Sequence, residues 1–437
     1  MRIDQLTVLN FRRFEENTFE LHPRFTLLVG DNGAGKTALL EALRVGVGAY
    51  LLGIDNSPVP APSIRRDCVR LETRQGGEFS TFERVIPCVV RCEGRVHGQD
   101  LRWSRKLTSV RGRTNRVGTR ALEQCVKRHA QEDKKAMKDE QVVNLPLVAF
   151  YGTGRLWIEP RTTKRVRSAV RQPLGKASRF EAYRGCLEPT VSSEWLRRWI
   201  KKMELIAHQN QQPLQSLDAV YGAVVGCVEG VEKAEYDFDM DDIVLDFKNG
   251  ERFPFDLLSD GQRTMMALAA DVAWRCVQLN PHLAGQALRE TEGVVLIDEL
   301  DLHLHPNWQG VIVRNLLSFF SKLQFVATTH SPFIVQSLDG QGLINLSDDN
   351  FLQERKEPYS IEDVAEETMG VKAPQRSKRF LEMETAARRY YELLDQCKDD
   401  QHPDVEQAKK ELDRIEADFS DNPAYAAFLK LDHYAAG

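Results

Sequence analysis

Two stretches of the chain hold side chains whose types and spacing could do chemistry. The first, GDNGAGKT, spans Gly30 to Thr37 and fits GxxxxGK[ST]. Glycines there let backbone N–H groups wrap phosphate oxygens, and a following helix aims its positive end at them. On that pattern Gly30, Asn32, Gly33, Ala34, Gly35 and Ala38 surround the phosphates. Lys36 reaches the β- and γ-phosphates, and Thr37 offers a hydroxyl to Mg²⁺. The second stretch, VVLIDELDLHLHPNWQG, spans Val294 to Gly310. It sets Asp298, Glu299 and Asp301 just ahead of His303 and His305. Such a cluster fits either a metal-dependent hydrolase or a nucleotide machine whose histidines do something else.

Spacing favours the nucleotide machine. A zinc hydrolase wants HExxH or a wider set of ligands, and HxH alone is a weak metal signal. The run VVLIDE is four apolar residues followed by two acids. Asp298, at the strand end, can hold Mg²⁺ through water, and Glu299 can polarise an attacking water. A third stretch, LSDGQRT at Leu258 to Thr264, opens a helix with serine and glycine. It offers a second helix N-terminus to an anion.

The surrounding elements must hold these stretches together. RFTLLVG, LPLVAF, GVVLIDE and LQFVATTHS read as buried strands of the parallel-sheet kind. A helix at about 307–321 supplies the crossover between the last two. Residues 1–29 predict two or three strands, 63–110 a β-rich lobe, 120–140 a polar helix and 193–229 further helices. A hairpin turns at Asn249-Gly250. In the helix after Ser259, Met265, Leu268, Ala269, Val272 and Cys276 share one face. Two helices, 376–397 and 404–418, end the pattern. The first carries Phe380, Met383, Ala387, Tyr390, Tyr391 and Leu394 on a broad face that packs against the chain's own core. Two stretches are strongly basic, 102–120 and 161–179.

Together the three motifs resemble the ATP-binding-cassette class in its SMC-like branch. The resemblance implies that Ser259, Gly261 and Gln262 act in trans on the γ-phosphate bound by a second copy, with Asp260 replacing the usual first glycine. Asp301 then lies in the loop that touches the partner's phosphate loop, and His330 of VATTHS is the switch histidine. His303 and His305 become structural or interface residues. NFRRF places Arg12 or Arg13 near phosphate. The glutamine loop of the class is missing, and YGTGRLW stands in its place, with Arg155 as a candidate replacement. The segments LTVLNFRRFE, LLVGDNGAGKTALLEAL, AFYGTGRLW, LSDGQRTMMALAADVA, IDELDLHLHP and ATTHSPFIV narrow the likeness. They are similar to a bacterial group known as predicted ATP-binding proteins involved in virulence, which includes ATPase subunits of Septu-type anti-phage systems and of some retrons.

The expected fold is α/β: a P-loop ATPase head with a mostly parallel sheet, an antiparallel β-subdomain, an inserted helical lobe and a helical tail. The expected divisions are 1–60, 61–144, 145–160, 161–255, 256–347 and 348–437. The resemblance implies an ATPase using ATP and Mg²⁺, with Glu299, His330 and Lys36 as its catalytic residues. Thr37 and Asp298 are the metal ligands. The partners it implies are a second copy, a separate HNH nuclease, and DNA or a retron reverse transcriptase with its msDNA. Rival readings are a RecF-like DNA-repair ATPase and a non-hydrolysing nucleotide-gated scaffold. Composition sets bounds. The 437 residues are 42% hydrophobic and 28% charged with net charge −5, so nucleic acid binding needs a local basic patch. No run reaches the ~18 apolar residues of a membrane span. MRIDQLTVLNFRRF alternates like a strand rather than a signal peptide, and the eight cysteines are scattered. All three point to the cytoplasm.

Overall fold

The computed structural model describes residues 1–55, 57–76, 79–139, 142–154, 178–189, 193–338, 342–347, 360–370, 378–397 and 402–417. Its strands, in chain order, are β1 Arg2–Phe11, β2 Phe14–Glu20, β3 Phe25–Val29, β4 Leu71–Gly76, β5 Phe79–Arg84, β6 Cys88–Val96, β7 Gln99–Leu107, β8 Leu147–Tyr151, β9 Val231–Asp237, β10 Asp242–Phe247, β11 Arg252–Pro254, β12 Gly293–Ile297, β13 Leu323–Thr328 and β14 Leu343–Asn345. Two compact units emerge, Met1–Val364 and Ala365–Gly437.

The first unit is an α/β fold with one parallel and several antiparallel sheets. Its centre is a parallel sheet in the order β14-β3-β13-β12-β8. Every residue of β3, β8, β12 and β13 is buried. Such strands have helices or a second sheet on both faces, which is why they read as continuous apolar runs. The register pairs Ile297 with both Tyr151 and Ala327. The carboxyl ends of β3, β12 and β13 therefore lie side by side, where ligands of open α/β sheets bind.

A second, antiparallel sheet runs β2-β1-β6-β7. It packs on the helix Lys36–Val47, and the Trp103 indole N–H donates to the Gly46 carbonyl at 2.9 Å. A three-stranded meander, β11-β10-β9, carries the expected hairpin and adds β9 to it. The crossover after β12 is broken into two short helices, Pro306–Gln309 and Ile312–Phe319.

The helix Asp260–Leu279 departs from the expected single apolar face. It is buried almost all round, from Thr264 through Val277. Its polar residues there are paired internally. Asp271 accepts from the Tyr151 hydroxyl and from Nε of Arg275, both at 2.7 Å. Arg275 also donates to the carbonyls of Ala182 and Arg184. This network locks the end of β8 to the helix. The seven described cysteines of the first unit are buried and free. In the second unit, Met383 and Ala387 of helix Lys378–Cys397 pack with Leu412 of helix Pro403–Ala417. Tyr390 and Tyr391 flank that cluster, so part of the expected face is covered by the neighbouring tail helix.

Candidate nucleotide site

The loop Gly30–Gly35 leaves β3 and enters the helix Lys36–Val47. Gly30, Gly33 and Gly35 all have positive φ, at 138°, 85° and 101°. Gly35 has a steric reason as well. A Cβ there would lie 2.7 Å from Phe14 and 3.0 Å from Arg13 Cδ. The turn between β1 and β2 thus closes over the loop. Arg13 donates to the Gly33 carbonyl at 3.1 Å, whereas Arg12 turns away to Asp67 at 3.3 Å. Of the two arginine candidates, only Arg13 is brought to the phosphate loop by a described hydrogen bond.

Lys36 is 7% exposed, and its ammonium donates to the carbonyls of Gly30 at 2.6 Å and Asp31 at 3.0 Å. Burial pulls its pKa below the ordinary lysine value, and the carboxylates of Asp31, Asp298, Glu299 and Asp301 pull the other way. Asn32 and Gly33 are exposed at the loop's tip, Ala34 is buried, and Ala38 is half-buried on the helix.

The acids follow β12. Asp298 is 5% exposed, and its Oδ1 lies 3.4 Å from the Thr37 hydroxyl. That separation is at the limit of a hydrogen bond. It sets two hard oxygen donors side by side, the kind Mg²⁺ prefers. Thr328, at the end of β13, donates its hydroxyl hydrogen to Asp298 Oδ1 at 2.7 Å and accepts from the Glu299 N–H at 2.7 Å. Glu299 itself has φ 50°, a sharp turn held by that contact. Thr329 donates to Asp301 Oδ1 at 2.6 Å, and the His330 N–H adds a second bond to the same oxygen at 3.2 Å. Ser331 donates to Gln309 at 2.5 Å. The segment Thr328–Ser331 therefore clamps all that follows β12. Sequence reading picked out His330 and missed both threonines; parallel pairing of β12 with β13 was the signal that they face these acids.

Ser259 caps the helix Asp260–Leu279. Its Oγ accepts from the Gln262 N–H, and the Gln262 Oε1 accepts from the Ser259 N–H at 3.0 Å, a capping box worth about 1 kcal/mol. Gly261 is buried against the loop after β12. A Cβ on it would stand 2.5 Å from the His303 carbonyl oxygen. Among the described residues, no hydrogen bond joins Ser259–Gln262 to Gly30–Thr37 of the same chain. His303 is exposed, and His305 Nδ1 caps Pro306–Gln309 by accepting from the Asn307 N–H. Among the described residues no group of three His, Cys, Asp or Glu side chains could hold a metal. Arg155 and residues 161–177 lie outside the described residues. No described helix is long and apolar enough to cross a membrane.

Two protein families match the chain. One is described as "AAA domain" over residues 5–218. The other is described as "AAA domain, putative AbiEii toxin, Type IV TA system" over residues 154–336. The "Retron Vc95 probable ATPase" of Vibrio cholerae is 23% identical over 391 residues, covering 78% of this chain and 72% of that protein. The "Retron Ec83 probable ATPase" of Escherichia coli is 24% identical, covering 78% and 71%. The Septu protein PtuA of Bacillus thuringiensis is 32% identical over 143 residues, covering 30% and 36%. Among solved structures, the SMC head domain from Thermotoga maritima aligns with TM-score 0.42 at 14% identity, covering 79% of this chain and 94% of that one.

Proposed function

We propose that this chain, which resembles ATP-binding-cassette-type AAA ATPases including retron ATPases and Septu PtuA, is the ATPase subunit of a bacterial anti-phage defence system. The observation that carries the ATPase reading is the meeting of Thr37 with Asp298 at 3.4 Å, with Glu299 turned next to it by Thr328. Loop N–H groups and Lys36 bind the β- and γ-phosphates of ATP. Arg13 sits over the same loop. Thr37 and Asp298 are the residues that hold Mg²⁺, which when bound neutralises charge on the phosphates. Glu299 orients and polarises the attacking water, and His330 stands by the γ-phosphate.

The site is completed by a second copy. Ser259, Gly261 and Gln262 reach the γ-phosphate held by the partner, and Asp301 meets the partner's phosphate loop. ATP shifts the closed dimer only through its greater affinity for that state. Closure then governs a separately encoded HNH nuclease.

The experiment is purification of the tagged chain with its genomic neighbours, in wild-type and Lys36→Ala forms. The expected result is a nuclease that co-purifies and whose association changes with Mg·ATP in the wild type alone. A chain that binds no ATP, or one whose complexes ignore both ATP and Lys36→Ala, contradicts the proposal.

A further inference from the structure

β14 lies at the edge of the parallel sheet, three buried residues paired with β3. The ladder continues one step past Asn345, where the Leu346 N–H donates to the Val29 carbonyl at 2.9 Å. Two segments therefore leave the sheet side by side at the same end. One is the phosphate loop, beginning at Gly30, and the other begins at Ser347. They are joined at once. The Asp31 N–H donates to Ser347 Oγ at 2.8 Å, across 316 positions of sequence. Ser347 is itself held, because its N–H donates to Oδ1 of the buried Asn345 at 3.0 Å. The approach is close: a methyl on Gly30 would stand 3.1 Å from Ser347 Oγ and 3.2 Å from its backbone nitrogen.

The bond acts on one peptide unit. The Gly30 carbonyl and the Asp31 N–H belong to a single planar trans peptide, so they point in opposite directions. Ser347 takes the N–H on one side. On the other side the Lys36 ammonium donates to the Gly30 carbonyl at 2.6 Å, and it also donates to the Asp31 carbonyl at 3.0 Å. The plane is clamped between the two side chains. Glycine at position 30 cannot hold it alone, since glycine is conformationally permissive.

The two clamps are not equivalent. Lys36 is the residue that meets the β- and γ-phosphates, and its ammonium must share or give up the loop carbonyls to do so. Ser347 has no such second duty. At the far end of the loop, Arg13 holds the Gly33 carbonyl at 3.1 Å, and between the two the Ala34 N–H closes a turn on the Asp31 carbonyl at 3.0 Å. Asp31 is thus tied from outside the loop by a side chain on a different strand, independently of the lysine.

From this geometry we infer that Ser347 is a positioning residue of the nucleotide site. It holds the Gly30–Asp31 peptide in place while Lys36 turns to phosphate, so the loop keeps its phosphate-binding shape. Ser347 acts through the Asp31 N–H and not by touching nucleotide. A loop ordered beforehand spares the ligand the cost of ordering it, so the effect falls on affinity. It applies to ADP as well as ATP, because the clamped peptide opens the loop that wraps both. The inference deepens the proposed function and rests on its reading of Gly30–Thr37 as a phosphate loop.

The test compares the full-length wild type with Ser347→Ala, which removes the acceptor, and Ser347→Thr, which keeps it. A fluorescent Mg·ADP analogue is titrated into each, since binding ADP needs no second copy. Thermal unfolding without nucleotide is measured alongside. Ser347→Ala should weaken binding about two- to tenfold, the range that one hydrogen bond supplies. Ser347→Thr should restore most of that loss. A bond that only braced the fold would lower the unfolding midpoint of Ser347→Ala and leave its affinity for Mg·ADP at the wild-type value, and that result overturns the inference. So does a Ser347→Thr variant that binds as weakly as Ser347→Ala, because the hydroxyl oxygen would then not be what matters. A wild type that binds neither Mg·ADP nor Mg·ATP overturns the phosphate-loop reading and the inference with it. A wild type that binds both, matched by Ser347→Ala, overturns the inference alone.

Discussion

Thr328 donates its hydroxyl hydrogen to the buried Asp298 carboxylate and, through the same oxygen, accepts the Glu299 N–H, both at 2.7 Å. One side chain on β13 thus orients both acids that follow β12. Thr328→Val keeps the shape and removes both bonds. It strands a carboxylate oxygen and an N–H, at about 1–3 kcal/mol. Hydrolysis should fall about tenfold or more, the effect of about 1.4 kcal/mol lost from the transition state, with ATP binding retained. Turnover and equilibrium binding of ATP, measured side by side, check this.

Gly261 faces the His303 carbonyl so closely that a methyl would lie 2.5 Å from it. Backbone on both sides leaves little room to yield, and overpacking of this kind costs about 1–3 kcal/mol. Gly261→Ala should shift the signature against the loop after β12. ATP binding to the isolated chain should survive, while ATP-driven dimerisation and hydrolysis drop together. Light scattering with and without Mg·ATP reports the first, and phosphate release the second.

The Asp271–Arg275 pair is buried on both sides and shares Asp271 with Tyr151. Asp271→Asn leaves the guanidinium's charge uncompensated and should cost about 3–5 kcal/mol. Tyr151→Phe removes one hydrogen bond and keeps the pair, at about 0.5–1.5 kcal/mol. Urea midpoints of the two variants should differ in that order.

How much of this was visible before the structure depended on distance along the chain. The phosphate loop was legible because glycine spacing and the following helix are local. The buried strands were legible because parallel strands covered on both faces are apolar throughout. The roles of Thr328 and Thr329 were not, since they depend on pairing between β12 and β13. Likewise, Gly261 meets His303 only in three dimensions. The all-round burial of Asp260–Leu279 hid behind Asp271 and Arg275, which look like a polar face and instead satisfy each other inside. β9, VEKAEYD, escaped notice because its alternation carries too little apolar weight. Arg12 and Arg13 are adjacent in sequence, and only side-chain direction separates them.

His97 gives the fold a pH dependence. Burial, with His129 stacked beside it, pushes its pKa down to about 3. The unfolded chain takes up that proton near pH ~6.5, while the folded chain stays neutral there. Stability from this site is therefore complete above pH ~6.5 and is lost as pH falls, by up to about 1.4 kcal/mol per unit. His97→Gln should flatten the profile between neutral pH and pH 5 in chemical denaturation.

The central claim is that two copies close on ATP and that Glu299 then drives hydrolysis. Native mass of Glu299→Gln with Mg·ATP tests it most directly. The account predicts a stable species of twice 49.8 kDa carrying two ATP, with hydrolysis reduced at least about a hundredfold. A variant that stays monomeric with ATP bound, or one that turns ATP over like the wild type, contradicts it.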